Sequence, residues 1–198
     1  MERPELFVVG GPNGAGKSTI AFVILPEGFQ VERFVNADLI AQDLAPSSPE
    51  SKAFTAGRMM LRRIRDFYGQ RMQFGFESTL ASRTFAPFLQ DARESGYLIH
   101  LAYLWLSSVE LALDRVRVRV LRGGHDIPEE VVRRRYYRSL VNFFDMYMPL
   151  ANTWLLCDNS GAELVEVARG GLQIAPRIVE PTMYSTIESQ LADARTRG

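Results

Sequence analysis

The sequence predicts an α/β fold in which helices cover both faces of a mostly parallel sheet of about five strands. Two observations lead to this prediction. Short apolar runs alternate with longer segments of helical spacing along the 198 residues, and this alternation is typical of parallel sheets. Several helical segments stop at glycines, such as Gly96 and the pair at 123–124, as helices commonly do. We expect one domain over residues 1–198, because this length supports one sizeable core.

The predicted elements follow one another regularly. Pro128 is expected to begin a helix, in which Glu129 and Glu130 complement the positive end of the dipole. A turn is expected at 158–161, followed over about 162–196 by a hairpin or two ragged strands and a final helix. Strands are predicted at residues 6–9, 34–36, 74–77, 97–106 and 154–157, and helices at 18–25, 49–72, 85–95, 109–122, 128–150 and 183–195.

Composition narrows the range of functions. Lys plus Arg and Asp plus Glu are equal at 23 each, so no net field draws the whole molecule onto nucleic acid or an anionic membrane. The single cysteine, Cys157, has no partner for an internal disulfide, which is typical of a reducing cytosol. No apolar run approaches the roughly 18 residues of a membrane span. We therefore expect a soluble, cytoplasmic protein without a membrane or nucleic-acid partner.

Residues 11–18 match the pattern G-x-x-x-x-G-K-[ST] between a predicted strand and a predicted helix. Glycines let backbone N–H groups turn toward phosphate oxygens, and the helix N-terminus adds partial positive charge. Lys17 is expected to reach the β- and γ-phosphates of ATP or GTP, and the Ser18 hydroxyl to bind Mg²⁺. The predicted nucleotide-binding residues are Gly11, Asn13, Gly14, Ala15, Gly16, Lys17, Ser18 and Thr19.

Features that are absent from the sequence indicate the class of phosphate-loop protein. The long apolar strand at 97–106 ends in Ser107 and Ser108, not in the Asp that holds Mg²⁺ in most ATPases and GTPases of this class. The guanine-reading N-K-x-D and the transporter signature L-S-G-G-Q are absent as well. These absences favour a small-molecule kinase over a switch or a motor.

Two acidic residues follow predicted strands at the edge where α/β proteins bind ligands. Asp38 comes directly after the second strand, and we interpret it as the base that takes the proton of an acceptor hydroxyl. Glu77 ends the third strand and is expected to bind the acceptor or Mg²⁺, with Ser78 and Thr79 hydrogen-bonding the substrate. The alternative for Asp38 is a helix N-cap before Leu39, and capping is also the alternative at residues 77–79.

An arginine cluster at 115–138 predicts a mobile helical lid over the phosphates. Gly123 and Gly124 are expected to form its hinge, and His125 to contact phosphate or to make a structural hydrogen bond. Arg117 and Arg133 are expected to form solvated pairs with acids instead. The predicted lid cations are Arg115, Arg119 and Arg122 on one helical face and Arg135 and Arg138 on the next helix.

These motifs together resemble the zeta-toxin family, over about residues 5–180. The resemblance rests on G-G-P-N-G-A-G-K-S-T, V-N-A-D, F-E-S-T-L and R-G-G-H-D-I-P-E-E-V-V-R-R-R-Y-x-R-S-L-x-N. It implies a P-loop kinase fold and ATP- and Mg²⁺-dependent phosphorylation of a sugar hydroxyl of UDP-N-acetylglucosamine. It also implies an antitoxin protein as a partner.

The resemblance assigns roles to individual residues. Asp38 matches the catalytic base and Glu77 an acceptor-site acid. The catalytic cations would be Lys17, Arg119 and one of Arg134, Arg135 or Arg138; we choose Arg135 and assign Arg138 to the substrate. Asn159 lies in a turn that resembles the one beside adenine in related small kinases.

Two other functions stay open at this point. A nucleic-acid end kinase would use the same loop, Asp38 and lid, and the arginines at 58, 62, 63 and 65 would favour it. A nucleotide-gated binding protein, or a toxin that acts by contact alone, would show no turnover and would not need Asp38.

Overall fold

The computed structural model describes residues 3–46, 48–124 and 126–196. Within these residues the chain forms seven strands and seven α-helices, which alternate over most of its length. The strands are β1 (Glu5–Gly10), β2 (Phe34–Val35), β3 (Phe74–Ser78), β4 (Leu98–Trp105), β5 (Thr153–Asp158), β6 (Val165–Gly171) and β7 (Ile174–Ile178). The helices are α1 (Lys17–Ile24), α2 (Ala37–Leu44), α3 (Ala53–Gly69), α4 (Phe85–Glu94), α5 (Val109–Leu121), α6 (Glu129–Asn142) and α7 (Pro181–Thr196).

All described strands join one sheet in the order β2-β3-β1-β4-β5-β6-β7. The first five in this order are parallel, as predicted. The predicted number of five strands is wrong: β6 pairs antiparallel with β5, and β7 pairs antiparallel with β6. The C-terminal hairpin therefore extends the sheet, because its backbone N–H and C=O groups satisfy the edge that β5 would otherwise expose.

Helices pack on both faces of the sheet. Helices α3, α4 and α7 bury apolar side chains on one face, around Phe74 and Phe76. Helices α1 and α5 cover the other face, where Leu104 and Val116 lie in a second cluster. Each large side chain removed from water in this way stabilises the fold by about 1.5–3 kcal/mol. Among the helices of the described ranges, none is long and apolar enough to cross a membrane.

The segment after β3 takes an unusual course beside β1. Leu80 is fully buried and has a φ of 55°. Residues other than glycine adopt a positive φ uncommonly. Its carbonyl accepts a hydrogen bond from Asn142 Nδ2 at 2.8 Å, and Ser139 Oγ donates to the carbonyl of Thr79 at 2.5 Å. A Cβ built on Gly10 would lie 2.3 Å from Leu80 Cδ1. Helix α6 thus holds this segment, with Leu80 filling the space beside Gly10.

Helix α6 is shorter than predicted. It ends at Asn142, followed by a π-helical turn at Phe143–Tyr147 and a 3₁₀ turn at Met148–Leu150. Tyr147 is fully buried, and its hydroxyl donates a hydrogen bond to the carbonyl of Ser82. A wider turn therefore fixes the same post-β3 segment at a further point.

Candidate active site

Residues 11–16 form a loop between β1 and α1. Gly11, Gly14 and Gly16 have φ values of 144°, 80° and 77°, which favour glycine. The loop also packs closely: a Cβ at Gly11 would lie 2.5 Å from the carbonyl oxygen of Leu104, and one at Gly14 would lie 2.7 Å from that of Ala112. Glycines are therefore required both by conformation and by space, as expected for a loop whose backbone N–H groups face an anion.

Asn13 and Ala15 are buried within the loop, and Thr19 is exposed on the first turn of α1. Among the described residues, Asn13 Oδ1 is buried without a hydrogen-bond partner.

Lys17 is the first residue of α1 and is buried, with 9% of its surface exposed. Its Nζ donates a hydrogen bond to the Pro12 carbonyl at 3.0 Å. Burial lowers the pKa of Lys17, while the charges of Glu77 and Asp38 oppose that shift. The ammonium thus lies within the loop, between two carboxylates that follow neighbouring strands.

Ser18, Glu77 and Asn36 form a hydrogen-bonded group beside the loop. Ser18 Oγ donates to Glu77 Oε2 at 2.8 Å, and Asn36 Nδ2 donates to Ser18 Oγ at 3.1 Å. Burial raises the pKa of the Glu77 carboxyl, while Lys17 and the Ser18 hydrogen bond act in the opposite direction. Hydroxyl and carboxylate oxygens are ligand types that suit Mg²⁺, so Ser18 and Glu77 fit the predicted cation.

An acid does end a strand next to the phosphate loop, but the strand is β3 and the acid is Glu77. β3 is the direct neighbour of β1 in the sheet, and Val9 of β1 pairs with Glu77. Because the two strands are parallel and adjacent, their carboxyl ends bring Glu77 to the residue that begins the loop's helix. The acid-free end of the strand at 97–106 therefore does not leave the loop without a neighbouring acid, since β3 carries Glu77.

Asp38 lies in the first turn of α2, and its side chain is 62% exposed. The alternative interpretation, that Asp38 caps this helix, is wrong. The cap is Asn36, whose Oδ1 accepts hydrogen bonds from the backbone N–H groups of Asp38 at 2.7 Å and Leu39 at 3.2 Å. The Asp38 carboxylate instead forms an ion pair with Arg119, with Oδ2 3.6 Å from Nη1.

The predicted lid cations fall into two groups. Arg119 and Arg135 lie within electrostatic reach of Lys17 in the phosphate loop. Both charges lower the pKa of Lys17, after the larger effect of burial. Burial also lowers the pKa of Arg135, with Arg134 acting in the same direction and Asp38 opposing it. Arg138 is exposed on the same helix. Arg122 is exposed just after the last turn of α5, and His125 lies outside the described residues.

Three other arginines do not face the loop. Arg115 donates to the backbone carbonyls of Asn159 at 2.7 Å and Ser160 at 2.9 Å. Its prediction as a lid cation is wrong, because the guanidinium is used to hold a turn. Arg117 pairs with Asp114 and Glu129, and Arg133 with Glu129 and Glu110, which confirms the predicted solvated pairs.

Asn159 contacts the phosphate loop from behind. Its Nδ2 donates to the Ala15 carbonyl at 2.8 Å, and a Cβ at Gly16 would lie 2.8 Å from the same atom. The side chain predicted to lie beside adenine is thus occupied with the loop backbone. Together with Arg115, it connects the turn after β5 to the loop.

The hydroxyls of Ser78 and Thr79 are turned toward the chain itself. Ser78 Oγ accepts from the N–H of Leu80 at 3.1 Å, and Thr79 Oγ1 accepts from that of Ala81 at 3.4 Å. Both hydroxyls stabilise the turn after β3, and neither caps a helix, since α4 begins only at Phe85. Each hydroxyl still has its own proton and a second lone pair to offer a substrate.

Sequence reasoning missed Asn36 and misassigned Arg115. An Asn directly before an acid-containing helical segment signals an N-cap, so the sequence could indicate the capping role of Asn36. The contact of its amide with Ser18, like that of Arg115 with the turn at 159–160, depends on pairing between distant segments.

Comparison with known proteins places this arrangement in a family. The sequence profile described as Zeta toxin matches residues 1–147. An uncharacterized protein of Haemophilus influenzae (strain ATCC 51907 / DSM 11121 / KW20 / Rd) is 33% identical over 136 residues, covering 69% of this chain and 94% of that protein.

Solved structures share the fold. Chains in the AvrRxo1-ORF1:AvrRxo1-ORF2 complex match with TM-scores of 0.74 for crystals with sulphate ions and 0.72 for crystals with ATP, at 20% and 18% identity. Each match covers 95% of this chain, which spans 64% of the length of the matched chain. A chain of the PezAT toxin–antitoxin system of Streptococcus pneumoniae matches with a TM-score of 0.57 and 16% identity, covering 98% of this chain and 88% of that one.

The phosphate loop at the carboxyl edge of a parallel sheet, the facing acids and the profile match agree with one another. The chain shares the fold of the AvrRxo1 and PezAT chains and belongs to the zeta toxin family.

Proposed function

We propose that this protein is an ATP- and Mg²⁺-dependent kinase that phosphorylates a hydroxyl of a sugar nucleotide such as UDP-N-acetylglucosamine. The observation that carries the proposal is the position of Asp38. Its exposed carboxylate lies within electrostatic reach of Lys17, next to Arg119, at the same edge of the sheet as the Ser18–Glu77 pair. Phosphoryl transfer requires this combination of phosphate-binding cations and one oriented base.

Binding of ATP is assigned to the loop at residues 11–19. Its backbone N–H groups and the N-terminus of α1 would hold the phosphates, and Lys17 would exchange its hydrogen bond to Pro12 for one to phosphate. The crystals of the AvrRxo1 complex with ATP support a nucleotide role for this fold. The choice of ATP over GTP agrees with the absence of N-K-x-D from the sequence.

Ser18 and Glu77 are the residues that would hold Mg²⁺. Of the two roles that the sequence left open for Glu77, its hydrogen bond to Ser18 supports the magnesium role more strongly than direct binding of the acceptor. When bound, the cation would neutralise charge on the phosphates as the phosphoryl group moves.

Asp38 would accept the hydroxyl proton of the acceptor as that oxygen attacks the γ-phosphate. Its carboxylate is exposed and therefore open to a substrate, and α2 fixes its backbone through the Asn36 cap. Arg119 and Arg135 would stabilise negative charge on the transferred group. Arg119 would then divide its contacts between Asp38 and phosphate, since the two lie on the same side of the loop.

The acceptor would bind between Asp38 and the turn after β3. Ser78 and Thr79 would offer their remaining hydrogen-bonding capacity, and the exposed guanidinium of Arg138 a further cation for a diphosphate. Helix α6 holds this turn through Ser139 and Asn142, so the acceptor side of the site is formed before any substrate binds.

A panel of acceptors tests this function. Purified protein with ATP and Mg²⁺ is mixed with UDP-N-acetylglucosamine, other UDP-sugars, free sugars and nucleosides, and phosphorylated products are identified by mass spectrometry. We expect a product with a UDP-sugar that Asp38→Asn fails to form. Turnover of nucleosides alone would contradict the sugar-nucleotide assignment, and ATP binding without any transfer would contradict the kinase.

A nucleic-acid end kinase is the second candidate. The arginines of α3, at positions 58, 62, 63 and 65, are all exposed, and such a cluster favours contact with phosphates of a polynucleotide. Including an oligonucleotide with a free 5′-hydroxyl in the same panel separates the two candidates. Phosphorylation of that end, at a rate that falls steeply with salt, would favour the second.

We also propose a cytoplasmic protein that pairs with an antitoxin. The matched chain of Streptococcus pneumoniae comes from a toxin–antitoxin system, and membership of the zeta toxin family supports the same partnership. Co-purification of this chain with the product of an adjacent reading frame, and loss of toxicity on co-expression, would test it.

A further inference from the structure

Asn36 lies between the two halves of the proposed site. It follows β2, whose Val35 pairs with Phe76, the residue before Glu77, and only 3% of its surface is exposed. A polar side chain so deeply buried must find partners within the protein. The oxygen and the nitrogen of its amide both form hydrogen bonds, and they contact different helices.

The oxygen of the amide serves helix α2. Asn36 Oδ1 accepts from two backbone N–H groups, those of Asp38 and Leu39, and so satisfies donors that have no partner within the helix. This half of the contact is a helix cap. A serine or threonine could replace it, because a cap requires only an acceptor of suitable reach.

The nitrogen of the amide serves Ser18. A serine hydroxyl has one proton to donate and two lone pairs to offer. The proton of Ser18 points to Glu77, and one lone pair accepts from Asn36 Nδ2. One lone pair remains, and its direction is set by the two bonds that are already made.

We propose that Asn36 is a positioning residue for magnesium, which orients the remaining lone pair of Ser18 toward the cation and ties this ligand to the helix that carries Asp38. The inference rests on the proposed function, since it presumes that Ser18 holds Mg²⁺ beside bound ATP. Groups that orient metal ligands typically contribute about 10–100-fold to metal affinity. One side chain would thus set the metal ligand and the proposed base relative to each other.

The test compares ATP binding with and without the metal. The dissociation constant for ATP is measured by calorimetry in Mg²⁺ and in EDTA, and the ratio of the two constants reports how strongly the metal and the nucleotide support each other. In Asn36→Ser the cap acceptor stays while the amide donor is lost. We expect the ratio to fall about 10-fold, with the constant in EDTA unchanged.

Two comparisons exclude a merely structural role. Ser108 caps α5 by accepting from the N–H of Leu111 at 3.1 Å, so Ser108→Ala removes the cap of a helix that supplies no proposed metal ligand; it should lower the melting temperature and keep the wild-type ratio. In the Ser18→Ala background, Asn36→Ser should have no further effect on the ratio, because its partner is absent. Asn36→Thr, which also caps, repeats the test where the serine variant folds poorly.

The outcomes separate this inference from the proposed function. A wild-type ratio that Asn36→Ser and Asn36→Thr both retain overturns the positioning role and leaves the kinase proposal standing. A wild-type protein that binds ATP equally in Mg²⁺ and in EDTA overturns both. A fall in the ratio that persists in the Ser18→Ala background also overturns the inference, since Asn36 would then act without Ser18.

Discussion

The Asp38 carboxylate and the Arg119 guanidinium form an ion pair, with Oδ2 3.6 Å from Nη1. They come from different helices, α2 and α5, and both charges influence the Lys17 ammonium. The pair brings together a carboxylate that can accept a proton and a cation that can move to phosphate. Substitutions of each residue can separate their contributions.

Replacing Asp38 by Asn should abolish most turnover and leave ATP binding intact. A general base contributes about 10²–10⁴-fold to a rate, whereas the proposal assigns nucleotide binding to the loop and Lys17. Single-turnover transfer to the true acceptor and calorimetric ATP affinity are the measurements. Asp43→Asn, an exposed acid on the same helix, is the matched control. Transfer by Asp38→Asn at the wild-type rate would exclude Asp38 as the base.

Arg119→Ala should slow transfer by about 10²–10³-fold, the usual cost of removing a donor to transition-state charge. ATP affinity should weaken as well, because the same cation meets the phosphates in the ground state. Arg117→Ala on the same helix removes a guanidinium that pairs with Asp114 and Glu129 and should change neither quantity. Equal behaviour of the two variants in a kinetic assay would show that Arg119 has no special role.

Lys17→Ala should fold and lose the thermal stabilisation that ATP gives the wild type. Burial lowers the pKa of this ammonium, so the fold does not depend on its charge. A ligand at 100 times its dissociation constant stabilises by about 2.7 kcal/mol, and this gain should disappear in differential scanning fluorimetry. Lys52→Ala, which changes the other lysine, should keep it. If ATP protected Lys17→Ala as well as it protects the wild type, the loop would not be the nucleotide site.

Magnesium-dependent ATP binding should weaken on acidification at a higher pH than an ordinary glutamate would cause. Burial raises the pKa of Glu77 above 4.5, and the protonated carboxyl no longer carries the negative charge that would attract the cation. The affinity is therefore full above the raised pKa and declines as pH falls through it. Glu77→Gln should bind weakly with Mg²⁺ at all pH values and lack this decline. If the wild type and Glu77→Gln showed the same pH profile, the decline would come from protonation of ATP itself and not from Glu77.

The sequence was sufficient for the parallel part of the fold. Each strand of that part is an apolar run bounded by turn residues, and the phosphate-loop pattern has a strict spacing that needs no tertiary information. The hairpin after β5 was expected from the sequence, but its place in the sheet was not. Pairing of Trp154 with Gly170 is a long-range contact that residue spacing cannot indicate.

The site was predicted less completely than the fold. The acids at 38 and 77 follow strands, and the rule that parallel strands end at one edge brings them together. The arginines were harder to assign, because Arg115 and Arg119 share one helical face yet bind different partners. Their roles depend on whether the turn at 159–160 or Asp38 lies opposite, which only the packed structure determines.

Gly10 directly precedes the phosphate loop, and the constraint on it differs from that on the loop glycines. It lies in β1, and what excludes a side chain is the buried Leu80 on the neighbouring segment. The two positions compete for one volume, so a side chain at position 10 requires Leu80 to move or to be replaced by a smaller residue. Among relatives, an alanine at position 10 should be accompanied by a smaller side chain at position 80, and this correlation would link the residue before the phosphate loop with the turn that borders the proposed acceptor site.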